Sequence, residues 1–271
     1  MNLTRSSPTL LKCFTRSKTG VRIIELADPS NRNALSTSML AELRHAIHEA
    51  ESDSSIGAVV VQGRGPAFSS GHDLKEIILY QQESDNGDGK KKLGELFGLC
   101  SEVMTAVATS PLPFIAKVNG VASAAGCQLV ASCDLAYASL DSRASFVLPG
   151  VNLGFFCSTP AVAVGRSVPS QKHVMEMLLT GEPITPKRAE QIGLINRAVP
   201  KDDLDRIVDH VAVTIASKPR SVVSEGKQLF ARQMEEPLDI AYDMASYSMV
   251  ECAQSEEGMH GIASFFSRRN K

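Results

Sequence analysis

The first half of the chain alternates short β-branched runs with stretches of helical periodicity. Residues 10–14 and Val21–Leu26 flank a Lys18-Thr19-Gly20 turn, which is the pattern of a hairpin. Ser36, Thr37 and Ser38 offer N-cap hydroxyls, and Met39, Leu40, Leu43, Ile47 and Ala50 then recur at helical spacing. Residues 56–61 predict a buried strand. A loop runs from Gly63 to His72, and a helix starts near Leu74 with Asp73 as its cap. Residues 83–92 are almost wholly polar and predict an exposed, mobile loop inside one domain. A helix over 93–108 follows. Pro111 and Pro113 then introduce a buried strand, Phe114–Val118, and an Asn119-Gly120 turn leads to a small-residue helix start around Ala124. Residues 135–138 and 145–148 predict further short strands. From Thr159 onward helical periodicity dominates, over 171–179, 186–192, 202–216, 222–233, 238–252 and 256–268. The pattern predicts a β/α body with a helical tail and no clean internal repeat.

Composition narrows the class. The 271 residues are 43% hydrophobic, enough for a full core in one large domain or one domain with an appendage. A net charge of -2 lacks the basic surplus of a nucleic-acid binder. No apolar run is long enough to span a bilayer, so the chain reads as soluble. The six cysteines are scattered without a CxxC pair, which points away from zinc or a disulfide framework and toward a reducing compartment. Arg5, Lys12, Arg16, Lys18 and Arg22 precede the first acid, Glu25, a composition mildly like a mitochondrial presequence. The hairpin limits any removable segment to the first few residues.

Two loops carry candidate chemistry. Gly65-Pro66-Ala67-Phe68-Ser69-Ser70-Gly71-His72-Asp73-Leu74-Lys75-Glu76 runs from strand to glycine-containing loop to helix. Such a loop can aim free N–H groups at an anion, but taken alone the signal is weak and a surface connection capped by Asp73 is the favoured reading. The absence of Gly-Lys-Ser/Thr excludes a Walker-type phosphate loop. Val118 to Leu129 repeats the geometry through Asn119-Gly120-Val121-Ala122-Ser123-Ala124-Ala125-Gly126. There, small residues let a ligand approach the backbone, or simply allow tight helix packing. Two such N–H groups converging on one oxygen would form an oxyanion hole for an enolate or tetrahedral intermediate.

These segments resemble the crotonase superfamily. Phe-Ser-Ser-Gly-His-Asp-Leu-Lys-Glu is similar to its oxyanion loop, Val-Asn-Gly-Val-Ala-Ser-Ala-Ala-Gly-Cys-Gln-Leu to its second loop, and Ser-Phe-Val-Leu-Pro-Gly-Val-Asn-Leu-Gly to the stretch that follows. The resemblance runs from about residue 10 to the C-terminus. It implies an α/β fold: a crotonase-like ββα spiral over residues 1–200, then a C-terminal helical oligomerisation region over 201–271 that builds a homotrimer or homohexamer. It implies an acyl-CoA thioester as ligand, with no permanently bound cofactor and no metal. The oxyanion donors carry over to the backbone N–H groups of His72 and Ala125, and His72, Asp73, Leu74 and Lys75 would line the CoA site. Arg268 or Arg269 would reach a neighbouring subunit's CoA. The compartment implied is mitochondrial, with cytoplasmic as the alternative.

The chain also departs from the family's pattern. Hydratases of the family place one glutamate on the helix after the second loop and another after the proline of the third stretch; Gln128 and Gly150 stand there. Related isomerases use an acid at the Gly150 position or eight residues on, which is Ser158. No Asp or Glu lies between Glu102 and Asp134 or between Asp141 and Glu176. Gln128 can hydrogen-bond a water or carbonyl but cannot exchange a proton usefully. Losing one general acid or base costs about 10²- to 10⁴-fold. The expectation is an acyl-CoA-binding protein of fatty-acid or acyl-CoA metabolism with weak or absent hydratase activity. The alternatives are a non-catalytic acyl-CoA sensor, or a thioester hydrolase or decarboxylase using the oxyanion hole. His72, Cys127 and Cys157 are the other titratable candidates, each with a packing role as its plain alternative.

Overall fold

The computed structural model describes residues 9–83, 87–141 and 143–269, with side chains as far as Ser267. The expected hairpin forms: β1 (Leu11–Arg16) pairs antiparallel with β2 (Val21–Leu26). Ser36 caps α1 (Thr37–Ser52) by accepting from Met39 N, and Met39, Leu40, Leu43, Ala46, Ile47 and Ala50 are buried at helical spacing. Strands β3 (Ala58–Gly63), β5 (Phe114–Val118), β7 (Leu135–Ser139) and β9 (Arg197–Val199) extend the sheet in parallel, giving the order β1-β2-β3-β5-β7-β9. β3 shows why such strands read as continuous apolar runs. Val59 and Val61 face the larger core, while Val60 faces a second core under Leu204, Val208 and Ala212 of α8 (Lys201–Ala216). Burying each such Val or Leu is worth roughly 1.5–3 kcal/mol.

A second, three-stranded parallel sheet combines β4 (Ala67–Ser69), β6 (Val121–Ser123) and β8 (Ser145–Val147). The chain therefore visits both sheets in turn: β3 then β4, β5 then β6, β7 then β8. Helices follow each visit, namely α2 (Leu74–Gln82) and α3 (Asp88–Thr109), then α4 (Ala125–Ser132), then α5 (Ser158–Ser167). This is the expected spiral of ββα units. Its repeat is hidden in the sequence because β4, β6 and β8 have three residues each, too few to show a period of two.

Two expectations change. The polar run is mostly not a loop: Asp88 to Lys92 form the first turns of α3, Glu83 ends α2, and residues 84–86 lie outside the described ones. Asp88 at the α3 N-terminus favours the helix dipole, and Leu93 continues the buried stripe. In addition, β4 and β6 occupy segments read as loop and turn.

Beyond α6 (Gln171–Thr180), α7 (Pro186–Gln191) and α8 come α9 (Arg220–Gln233), α10 (Leu238–Gln254) and α11 (Glu256–Arg269). Whereas α8 packs on the sheet, α9 and α10 bury no residue. α9 is tied to the body by Lys227, which donates to Leu112 O at 2.8 Å and pairs with Asp134 at 2.8 Å, and by Arg220, which donates to the carbonyls of Glu51 and Asp53 at 2.6 Å each. No helix of the described residues is long and apolar enough to cross a membrane.

Candidate active site

The two glycine-containing loops meet where the small sheet turns into helices. β4 and β6 pair in parallel, so the loop leaving Ser69 and the loop leaving Ser123 emerge side by side. Contact between them is close enough to require glycine. A Cβ on Gly126 would lie 2.4 Å from Ser69 O, and one on Gly71 (φ +86) would lie 2.8 Å from Ser123 O and 3.2 Å from Ala125 N. The peptide preceding His72 is thus laid against the peptide preceding Ala125. Ala124 adopts φ 48, ψ -115, a sparsely populated conformation for a residue with a side chain. Its N–H donates to Val147 O at 2.9 Å. Ala125 is the first residue of α4, so its N–H has no intrahelical acceptor. Among the described residues neither the His72 nor the Ala125 N–H donates a hydrogen bond.

A buried polar network fixes the first loop. Asn33, fully buried at φ 54, donates through Nδ2 to Arg64 O and Ala67 O at 2.9 Å each and to Phe68 O at 3.2 Å, and its Oδ1 accepts from Asp28 N at 3.0 Å. Ser69 Oγ donates to Asn33 O at 2.8 Å and accepts from Gly71 N at 3.2 Å. Leu35 N donates to Gly71 O at 2.8 Å, completing the clamp on the peptide that carries the His72 N–H.

His72 and Ala125 both line a cavity of about 870 Å³. His72, Leu74, Phe97, Ala125, Gly150, Phe155, Phe156, Cys157 and Thr159 line it, together with Arg32 and Arg143. Its wall is mainly apolar, and no Asp or Glu lines it among the described residues. The His72 ring packs edge-on against Phe97 at 5.1 Å, with Nδ1 3.3 Å from Leu35 O. A carbonyl can only accept, so Nδ1 carries the proton and Nε2 is left as a buried acceptor without a partner. Burial lowers the His72 pKa, which keeps the ring neutral. Asp73 caps α2, accepting from Lys75 N at 2.9 Å and from Asn31 Nδ2 at 2.7 Å, and it does not line the cavity. Lys75 is exposed and also off the wall.

Gly150 sits in a 3-10 turn (Pro149–Leu153) that folds against the following segment. Phe155 N donates to Gly150 O at 2.9 Å, and Gly150 N lies 3.3 Å from Cys157 Sγ. A Cβ at 150 would come within 2.8 Å of that sulfur and 3.0 Å of Phe155 O. The position is therefore filled by the Cys157 thiol. Burial pushes that thiol's pKa up, and the Cys127 and Cys100 thiols to about 12, so none is a ready nucleophile. Gln128 is 3% exposed and faces away from this cavity: it borders a smaller one of about 340 Å³, with its Oε1 unpartnered. The structure thus joins His72, Leu74, Ala125 and Gly150 on one cavity and separates Gln128, Asp73 and Lys75 from it. Arg268 and Arg269 have side chains outside the described residues.

The sequence reading missed Asn33, Arg32 and Arg143. Asn31-Arg32-Asn33 precedes an apolar run, and asparagine's tolerance of positive φ is the local signal that a turn was built there. Nothing local marks the two arginines, which are brought to one wall by the fold.

A profile of the enoyl-CoA hydratase/isomerase family matches residues 16–271, and the chain belongs to that family. It is 48% identical over 256 residues to enoyl-CoA hydratase domain-containing protein 3, mitochondrial, of Rattus norvegicus, covering 94% of this chain and 82% of that one. It is 30% identical to the short-chain-enoyl-CoA hydratase of Clostridium acetobutylicum, covering 92% of each. The crystal structure of human enoyl coenzyme A hydratase domain-containing protein 3 superposes with a TM-score of 0.89 at 41% identity, covering 96% of this chain and 98% of that one.

Proposed function

We propose that this chain binds an acyl-CoA thioester with its carbonyl oxygen between the N–H groups of His72 and Ala125, and that it is a weak or inactive enoyl-CoA hydratase. The carrying observation is that His72 and Ala125, whose N–H groups donate no hydrogen bond among the described residues, line one cavity together, and no carboxylate among the described residues lines it. Such donors stabilise charge developing on a thioester oxygen without any proton transfer. Hydration needs a group that activates water and one that delivers a proton, and neither Gln128 nor Gly150 supplies one. His72 contributes a backbone donor, and its neutral ring adds an acceptor. Arg32 and Arg143 line the same cavity and would attract CoA phosphates, Arg143 while it pairs with Asp141 at 3.1 Å. Enolate chemistry that needs no enzyme base, such as decarboxylation, is compatible with this wall, as is thioester cleavage or a binding role without turnover. No resident cofactor enters the reading; the CoA thioester is the ligand. Lipid or acyl-CoA metabolism in mitochondria is the setting suggested by the names of the relatives.

The helical tail supports a trimer or hexamer. Leu238, Tyr242, Tyr247, Met249 and Val250 of α10 and Phe266 of α11 are exposed, an apolar surface expected to meet another subunit. Calorimetry with butyryl-CoA and a crotonyl-CoA absorbance assay test the functional reading together. Micromolar binding with hydration reduced by at least about 10⁴-fold relative to the Clostridium relative is the expected result. Hydration within tenfold of that relative, or no binding, would sink it.

A further inference from the structure

The large cavity is divided by charge. His72 and Ala125 stand where the small sheet gives way to helices: His72 lies between β4 and α2, and Ala125 follows β6 and opens α4. Both arginines on the described wall belong to the sheet side of that junction. Arg32 is held beside the end of β4, its carbonyl accepting from Ser70 N at 3.0 Å, and Arg143 stands two residues before β8. The helix side is built from Leu74 and Ile77 of α2, Phe97 of α3 and the segment from Leu153 to Pro160. Among the described lining residues of that side none is charged, and only Ser158 and Thr159 carry hydroxyls.

The helix side is also incompletely covered. Leu74, Leu153, Phe155 and Phe156 line the cavity and are each 45–54% exposed. Large apolar side chains brought to one cavity and left about half open form a surface that an apolar guest completes. The segment carrying three of them is held in place. Gly154 ends the 3-10 turn in the left-handed region (φ +75), and Phe155 N donates to Gly150 O at 2.9 Å. The volume of about 870 Å³ lies toward the upper end of the roughly 300–1,000 Å³ of small-molecule sites. A thioester whose carbonyl oxygen meets His72 N and Ala125 N has its CoA phosphates on one side of that carbonyl and its acyl chain on the other. With the phosphates drawn to the arginines, the chain runs to the helix side.

We infer that the preferred ligand is the CoA thioester of an unsubstituted medium-chain fatty acid, longer than butyryl, whose methylenes cover Leu74, Leu153, Phe155 and Phe156. The inference rests on the thioester reading above and adds the class of acyl chain. Full burial of one methylene is worth about fourfold in affinity. Against side chains that stay about half exposed, about twofold per methylene is the expected gain. Octanoyl exceeds butyryl by four methylenes, which gives about 15-fold. A charged chain end would lose water on this side without gaining a partner, so carboxylated acyl groups are disfavoured.

Calorimetry with butyryl-CoA and octanoyl-CoA, below the concentration of micelle formation, reads the ratio directly. Both share CoA and the thioester, so the difference reports the acyl chain. Octanoyl-CoA should bind about 15-fold tighter, one molecule per chain, and excess butyryl-CoA should displace it. Displacement separates this cavity from the apolar side chains exposed on α10 and α11. Leu153→Ser and Phe156→Ser replace half-exposed side chains, so both variants should fold, with melting as the check. Each should lower the ratio to about fivefold or less. A wild-type ratio under about threefold, a ratio unchanged in both variants, or octanoyl-CoA that butyryl-CoA does not displace overturns the inference, while butyryl-CoA binding upholds the thioester site. Failure of both thioesters to bind overturns both readings.

Discussion

Replacing Gly126 by alanine adds one methyl group at the contact that holds the two N–H donors together. The new Cβ would lie 2.4 Å from Ser69 O, 2.8 Å from Ser69 Cβ and 3.0 Å from Ser69 C. Carbon and oxygen pack no closer than roughly 3.3 Å in the tightest contacts, so the first turn of α4 must move off β4 by about 1 Å. Both partners are constrained backbone, and no flexible side chain can yield. Overpacking of this kind costs about 1–3 kcal/mol of stability. The functional cost is separate, because the shift carries Ala125 N away from His72 N. A misplacement near 1 Å costs on the order of 10²-fold where two groups must converge. The variant should melt a few degrees lower and bind butyryl-CoA at least tenfold more weakly, measured by calorimetry well below its melting point. Gly98→Ala is the control: it lies on the exposed side of α3 with nothing within 4 Å of the added Cβ. It should leave binding unchanged and stabilise by about 0.5–1 kcal/mol through helix propensity. Wild-type binding and melting in Gly126→Ala would refute the convergence of the two loops.

Asn33→Ala removes the donor to three buried carbonyls and the acceptor for Asp28 N, and should cost about 3 kcal/mol in urea unfolding; a loss under 1 kcal/mol would show that the clamp is not needed. Installing glutamates through Gln128→Glu and Gly150→Glu should leave crotonyl-CoA hydration unrestored, because residue 128 opens onto the smaller cavity and a Cβ at 150 would lie 2.8 Å from Cys157 Sγ and 3.0 Å from Phe155 O. Gain in the double variant would contradict the filled position. His72 titrates below its unfolded value, so the folded state binds fewer protons than the unfolded state as pH falls through 6.5 and beyond. Its contribution is complete above that pH and lost on acidification; the melting temperature of wild type should therefore fall more between pH 7 and pH 5 than that of His72→Phe. Parallel pH profiles would remove His72 as the cause.

Much of the fold was legible because it rests on periodicity. The stripe from Met39 to Ala50, the β-branched run around Val59–Val61 and the caps at Ser36 and Asp73 all formed as the pattern predicts. Short elements were not legible. β4 and β6 have three residues each and owe their pairing to neighbours distant in sequence. The start of α3 was hidden because Asp88 to Lys92 look like a solvated loop until Leu93 and Leu96 anchor the helix. For the site, loop composition and family resemblance pointed to His72 and Ala125, whose N–H groups donate no hydrogen bond among the described residues. Side-chain direction was beyond reach. Gln128 lies one turn from Ala125 yet opens onto a different cavity, Asp73 is consumed by capping, and Gly150 is occupied by a thiol seven residues away. The clamp built on Asn33 was invisible for the same reason, since its partners lie 31 to 35 residues downstream.

The proposed function requires a thioester carbonyl between the His72 and Ala125 N–H groups. The infrared difference spectrum of bound butyryl-CoA, labelled with ¹³C at the carbonyl, reports that directly. The predicted result is a carbonyl band shifted to lower wavenumber than in free butyryl-CoA, with the shift diminished in Gly126→Ala. A bound ligand whose carbonyl band matches the free one would contradict the oxyanion hole and the function built on it.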